Sequence, residues 1–201
     1  MHHLAIAAAA TAIAIGAGSG AVTSMTSAAP AMQLDVTNPM IAGAAMLPNE
    51  SIWANATKSP EHATFVSEVK AAGISDTLSG GGEYTVFAPT DSAYAAMGAD
   101  KTAALMKSAR KNARYLIVKG RYSSTKLLQL INEQGGRAKL RTLEGGTITA
   151  SLNGPTNIML MDENGAMADI AIYDIQQKNG VLQVIDRVLT PGKQSREVAE
   201  R

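Results

Sequence analysis

Residues 85–94 read Thr-Val-Phe-Ala-Pro-Thr-Asp-Ser-Ala-Tyr (TVFAPTDSAY). β-Favouring side chains run up to Pro89, and Thr90-Asp91 then supplies two of the residue types that best cap a helix N-terminus. The stretch predicts a short strand over Tyr84 to Ala88 that switches at once into a brief helix over Ser92 to Met97. Upstream, Ser59-Pro60-Glu61 reads as a helix start, Phe65, Val66 and Val69 as its apolar stripe, and Gly73 as its stop. His62 then falls in a first helical turn, at the surface. Downstream, Asp100 reads as the cap of one longer helix in which Leu105, Ala109, Ala113 and Leu116 repeat at helical spacing. Ser123 or Ser124 caps a third, with Leu127, Leu128, Leu130 and Ile131 inward and Gly135 ending it.

The last third changes period. Strands are expected over Leu140 to Leu143, Thr147 to Leu152, Asn157 to Met161, Met167 to Tyr173 and Val181 to Leu189. They are separated by Glu144-Gly145-Gly146, Asn153-Gly154-Pro155, Asn164-Gly165 and Asn179-Gly180. Asn-Gly is a strong hairpin signal, because both residues tolerate positive φ. Helices first and a β-meander after define an α+β domain.

A hydrophobic fraction of 46% with 17% charged residues suits a packed domain rather than a disordered chain. Aromatics are only 4%, so the core is expected to rest on Ala, Val, Ile, Leu and Met. The chain has no cysteine, which excludes disulfides, thiolate catalysis, Cys-ligated metals and a lipid anchor on cysteine. Leu4 to Ile15 is an apolar, small-residue run of signal-peptide length, too short to cross a bilayer, and Ala29-Pro30-Ala31 offers a cleavage pattern. The expected organisation is a signal peptide over 1–31, an extended lead-in over 32–50, the folded domain over 51–191 and a charged tail over 192–201. The mature protein is expected outside the cytoplasm, secreted or periplasmic, without stable membrane insertion.

A second stretch, residues 179–191, reads Asn-Gly-Val-Leu-Gln-Val-Ile-Asp-Arg-Val-Leu-Thr-Pro (NGVLQVIDRVLTP). Together with TVFAPTDSAY it resembles the two signature segments of the fasciclin-like domain family, in the single-domain secreted form found in bacteria. The likeness runs from about Ile41 to Pro191, and AAGISDTLSGGG and LEGGTITASLNGP fit the family's intervening segments. The resemblance implies N-terminal helices packed on a twisted sheet wedge built mainly from the C-terminal meander. It also implies a non-catalytic module for cell adhesion or for contact with a cell surface or extracellular matrix. Thr90, Asp91, Tyr115, Gly180, Val184 and Asp186 are the positions that match its structural motif. Two family histidines are replaced here, by Leu116 after Tyr115 and by Gln183. Asp174-Ile175 matches a pair associated with receptor binding in animal members; read from the residues alone, Ile175 is an inward strand residue and Asp174 its solvated neighbour. Some members are thought to carry an apolar small molecule such as a carotenoid, and Met40, Met46, Met159, Met161 and Met167 offer adaptable lining for that alternative.

Enzyme constellations fare badly. His2, His3 and His62 are the only histidines, so no His-His metal pair forms within the expected domain, and no Ser-His-Asp triad can be assembled there without His62, which reads as a surface residue. Asp162-Glu163-Asn164-Gly165 opens like a calcium loop, but Tyr173 stands where the bidentate Glu of an EF-hand belongs, and a hairpin turn is the simpler reading. No cofactor and no metal are expected. The charge distribution is more informative: between Lys101 and Arg141 lie eleven Lys and Arg residues against one acid, Glu133. Lys107, Lys111 and Arg114 fall on the helix face opposite Leu105, Ala109 and Ala113, and Tyr115 and Tyr122 are near enough to stack on a sugar. Such a face is either simply solvated or a site for an acidic polysaccharide, an anionic envelope or an acidic protein. Nucleic acid is excluded by location.

Overall fold

The computed structural model describes residues 38–192; the expected signal peptide, residues 32–37 of the lead-in and the tail beyond residue 192 lie outside it. β1 (Tyr84–Pro89) and β7 (Gly180–Ile185) lie side by side and parallel, Tyr84 opposite Gly180 and Ala88 opposite Val184. The two signature segments are thus neighbouring interior strands of one seven-stranded sheet of order β2-β1-β7-β6-β5-β4-β3. Central strands are buried on both faces and read as continuous apolar runs, and every residue of β7 is buried. β2 (Ile117–Lys119) flanks β1 antiparallel. On the other side β3 (Arg137–Arg141), β4 (Thr147–Asn153), β5 (Asn157–Met161) and β6 (Met167–Gln177) form the antiparallel meander. The Val118–Thr142 bridge and a bond from Leu143 N–H to Ile117 C=O (2.8 Å) draw the chain after β3 against β2, so the sheet curls towards closure.

Seven helices surround this frame among the described residues: α1 (Ile52–Lys58), α2 (Ala63–Ala72), α3 (Ser75–Ser79), α4 (Asp91–Met97), α5 (Ala99–Lys107), α6 (Ala109–Tyr115) and α7 (Ser124–Glu133). The α+β expectation holds, with local corrections. α2 begins at Ala63 rather than at Pro60, because Ser59-Pro60-Glu61 belongs to the turn after α1. The long helix expected from Asp100 to Leu116 is two helices broken at Ser108. There the Asn112 side-chain amide donates to Leu105 C=O at 2.8 Å and Ser108 N–H does so at 2.9 Å. Leu105 C=O is therefore occupied where a continuous helix would offer it to Ala109.

The core is one cluster that runs from α1 and α2 through the sheet to α7. Its largest fully buried members include Phe65, Phe87, Tyr94 and Tyr115. Scarce aromatics are therefore concentrated in the interior, and among the described methionines only Met46 is buried there. The described lead-in contributes as well: Ile41 and Met46 are buried. Asn38 both donates to Gln176 C=O and accepts from Gln176 N–H, docking the segment on β6.

Candidate functional site

Both signature segments are spent on construction. Thr90 Oγ1 accepts from Ala93 N–H at 3.2 Å and caps α4. Asp91, the next residue, caps a different helix: its carboxylate accepts from Ala63 N–H (3.1 Å) and Thr64 N–H (2.7 Å), the first turn of α2. Burial alone would raise the Asp91 pKa, but the bonds from Thr64 and Ala63 outweigh it and hold the carboxyl below its usual range. In the second segment, Asn179 is buried. It accepts from Ile52 N–H (2.8 Å) and donates to Leu78 C=O (2.7 Å) and Gly80 C=O (3.0 Å). A Cβ at Gly180 would lie 1.9 Å from Tyr84 O, so only glycine lets β7 approach β1. Val184 is buried against β1 and β6. Asp186 Oδ1 accepts from Asp169 N–H at 2.8 Å and prolongs the β6–β7 pairing.

Tyr115 is fully buried; its hydroxyl donates to Thr147 C=O at 2.8 Å, so it is not available to stack on a sugar. Tyr122 is half-buried and packs on the core. Ile175 is fully buried opposite Leu182. Asp174 sits in a bulge of β6 at φ +57°. Its carboxylate accepts from Ser124 N–H (2.7 Å), the Ser124 hydroxyl (2.5 Å) and the Gln183 amide (2.9 Å). Gln183, in place of the family histidine, is buried, donates also to Tyr122 C=O and accepts from Asp174 N–H. The amide thus supplies donors and an acceptor without titrating.

His62 is the clearest correction. It is 1% exposed, wedged at the start of α2 with Ser59 Oγ 2.7 Å from Nδ1. Burial lowers its pKa, against the opposing pull of Asp91 and the Ala88 carbonyl. Glu68, which nothing in the local sequence distinguishes from a solvated helix carboxylate, is also buried and accepts from the Tyr94 hydroxyl at 2.6 Å.

The basic residues divide. Arg114 donates to Leu143 C=O at 2.7 Å. Lys111 donates to Gly192 C=O at 3.3 Å and stands 4.0 Å from Glu144. Lys107 and Arg110 are exposed and have no partner among the described residues. Lys107, Arg110 and Lys111 line a cavity of about 600 Å³ at the break between α5 and α6, with no acidic side chain in its wall. Of the five methionines named above, Met167 lines a cavity on the far side of α4 and α5. Met159 and Met161 lie half-buried on β5, and Met40 is exposed on the lead-in.

A parallel β1–β7 pair inside an otherwise antiparallel curled sheet, stapled by capped helices, defines a mixed-sheet α+β module. The fasciclin domain model matches residues 60–191, and the chain belongs to the fasciclin domain family. Two Synechocystis proteins are similar to it. The uncharacterised protein sll1735 is 30% identical over 64% of this chain and 89% of its own length. Protein sll1483 is 30% identical over 64% of this chain and 66% of its own. The transforming growth factor-beta-induced protein ig-h3 of Sus scrofa is 28% identical over 63% of this chain, which spans only 17% of that protein. Among solved structures, the FAS1 domain pair from the insect cell adhesion molecule Fasciclin I superposes with a TM-score of 0.60 at 18% identity. That match covers 71% of this chain and 51% of the pair, and it shows the fold. No helix among the described residues is long and apolar enough to cross a membrane.

Proposed function

We propose that this protein is an exported, non-catalytic binding module that attaches to an anionic polysaccharide or acidic protein of a cell surface or matrix and so contributes to adhesion. The observation that carries the reading is the cavity at the α5–α6 break, where Lys107 and Arg110 converge with Lys111 and no carboxylate lines the wall, the nearest acid being Glu144 at 4.0 Å from the Lys111 ammonium. Cations grouped in a concave, acid-free wall concentrate an anionic partner through their summed field, and salt screens that attraction. The same fold in the insect cell adhesion molecule Fasciclin I supports the same direction, and the apolar run at Leu4 to Ile15 supports export.

Lys107→Glu with Arg110→Glu tests it, because neither side chain holds the fold together. The natural protein is expected to be retained on a heparin-like column at low salt and to release as salt rises. The double variant, equally folded by circular dichroism, is expected to flow through. Equal elution of the two proteins would overturn the proposal.

A further inference from the structure

A second concavity lies between the α4–α5 pair and the chain that follows β7, and one end of it reaches the α5–α6 break, where Ser108 and Lys111 line both it and the cavity described above. Two cavities of about 700 and 670 Å³ share Met97, Lys101, Ala166 and Val188 in their walls, and so form one continuous trench. Each of the two cavities falls in the range of small-molecule sites, roughly 300–1,000 Å³. Ala96 and Met97 from α4 face Ala166 and Val188 across it, giving an apolar lining.

Three cations also line the trench: Lys101 and Arg187, and Lys111 at the end nearest the α5–α6 break. Lys101 and Arg187 are exposed and neither has a partner among the described residues, whereas Lys111 donates to Gly192 C=O and stands 4.0 Å from Glu144. Asp100, next to Lys101 in the chain, is exposed and lines neither cavity, and the other acids nearby are committed elsewhere. Asp186 accepts from Asp169 N–H. Asp162 accepts from the N–H groups of Asn164, Ala166 and Thr190. Glu163 accepts from Thr147 N–H and Gly192 N–H. No carboxylate lines either cavity. An apolar trench with uncompensated positive charge is complementary to a molecule that is apolar along its length and negative at one end.

We propose that this trench binds a single-chain anionic amphiphile, a long-chain fatty carboxylate, with the chain along Met97, Ala166 and Val188 and the head group at Lys101 and Arg187. The ligand class goes beyond the adhesive reading and rests on Lys101 and Arg187, whereas Lys107 and Arg110 carry that reading; Lys111 borders both concavities. Long-chain hydrocarbon supplies the affinity by leaving water, while the cations discriminate the charged head from a neutral one.

The test is a fluorescence titration of the full chain with cis-parinaric acid and, in parallel, with its methyl ester. Saturable binding of the acid, with the ester at least about tenfold weaker, is expected. Lys101→Glu with Arg187→Glu should weaken the acid about tenfold or more and leave the ester unchanged. Ala96→Trp, at an exposed helix position, should fill the trench and abolish both. Heparin retention should survive all three changes, which separates failure here from failure of the adhesive reading. Absent or non-saturable acid binding, equal affinity for acid and ester, or folded variants that bind as the natural chain does would each overturn the proposal.

Discussion

Glu68 shows how much one side chain can decide. Tyr94 donates to its Oε2, while Oε1 has no partner among the described residues. Burial raises its pKa to about 7, with the Tyr94 bond acting in the opposite sense. A carboxyl whose folded pKa lies above its unfolded value contributes stability fully below the unfolded pKa, and loses it as pH rises through the folded one. Its contribution therefore declines between about pH 4.5 and 7. His62 acts the other way: burial depresses its pKa, so its contribution is present above its ordinary value of 6.5 and fades as pH falls through the lowered one. The two slopes partly cancel in the natural chain. Glu68→Gln removes one of them. The stability of the variant minus that of the natural protein, from urea titrations at each pH, should grow by up to about 3 kcal/mol between pH 4 and pH 8. A difference that stays flat over this range would mean Glu68 is not buried.

At the scale of elements, the β1–β7 contact is the joint on which the fold depends, and Gly180 is its narrowest point. Gly180→Ala would place a methyl group 1.9 Å from Tyr84 O, which the ladder cannot absorb without separating the two strands. A loss of about 3 kcal/mol or more in urea denaturation is expected. Gly81→Ala, whose Cβ would meet nothing within 4 Å, should change stability by less than about 0.5 kcal/mol. Near-natural stability of Gly180→Ala would contradict the parallel register. The meander was legible because alternation and Asn-Gly turns are local signals: β5 occupies Asn157–Met161 as read, and β4 differs by one residue. β3 begins three residues before the stretch that the sequence marks, because the alternating Arg137, Lys139 and Arg141 mask the inward pair Ala138 and Leu140. The start of α2 is hidden for a different reason. Its cap is Asp91, far along the chain, and no window of local sequence contains both. Thr90, by contrast, caps the helix it immediately precedes and was readable on sight. The basic cluster was legible as composition, but its division at Ser108 depends on the Asn112–Leu105 bond.

Over the whole described molecule, buried amides tie together segments distant in sequence. Asn38 joins the lead-in to β6, and Asn55 of α1 bonds to Gln177. Arg121 donates to Gln176, Gln177 and Gly180, clamping the β6–β7 hairpin. Asn179 fastens α1 and α3 to the sheet. Such long-range ties make separate opening of the N-terminal helices costly, so the domain should unfold as one cooperative unit. Trp53, the single tryptophan, lies on α1 and packs on the core, which makes it a reporter for the part most dependent on Asn179. In the natural protein, Trp53 fluorescence and far-ultraviolet circular dichroism should follow one coincident urea transition. Asn179→Ala leaves Ile52 N–H, Leu78 C=O and Gly80 C=O without their partner, at a cost of about 2–4 kcal/mol. Its fluorescence midpoint should fall below its circular-dichroism midpoint, because α1 releases before the sheet. Coincident transitions in the variant, or a midpoint unmoved from the natural one, would show that the helices are held by packing alone and that the amide is dispensable.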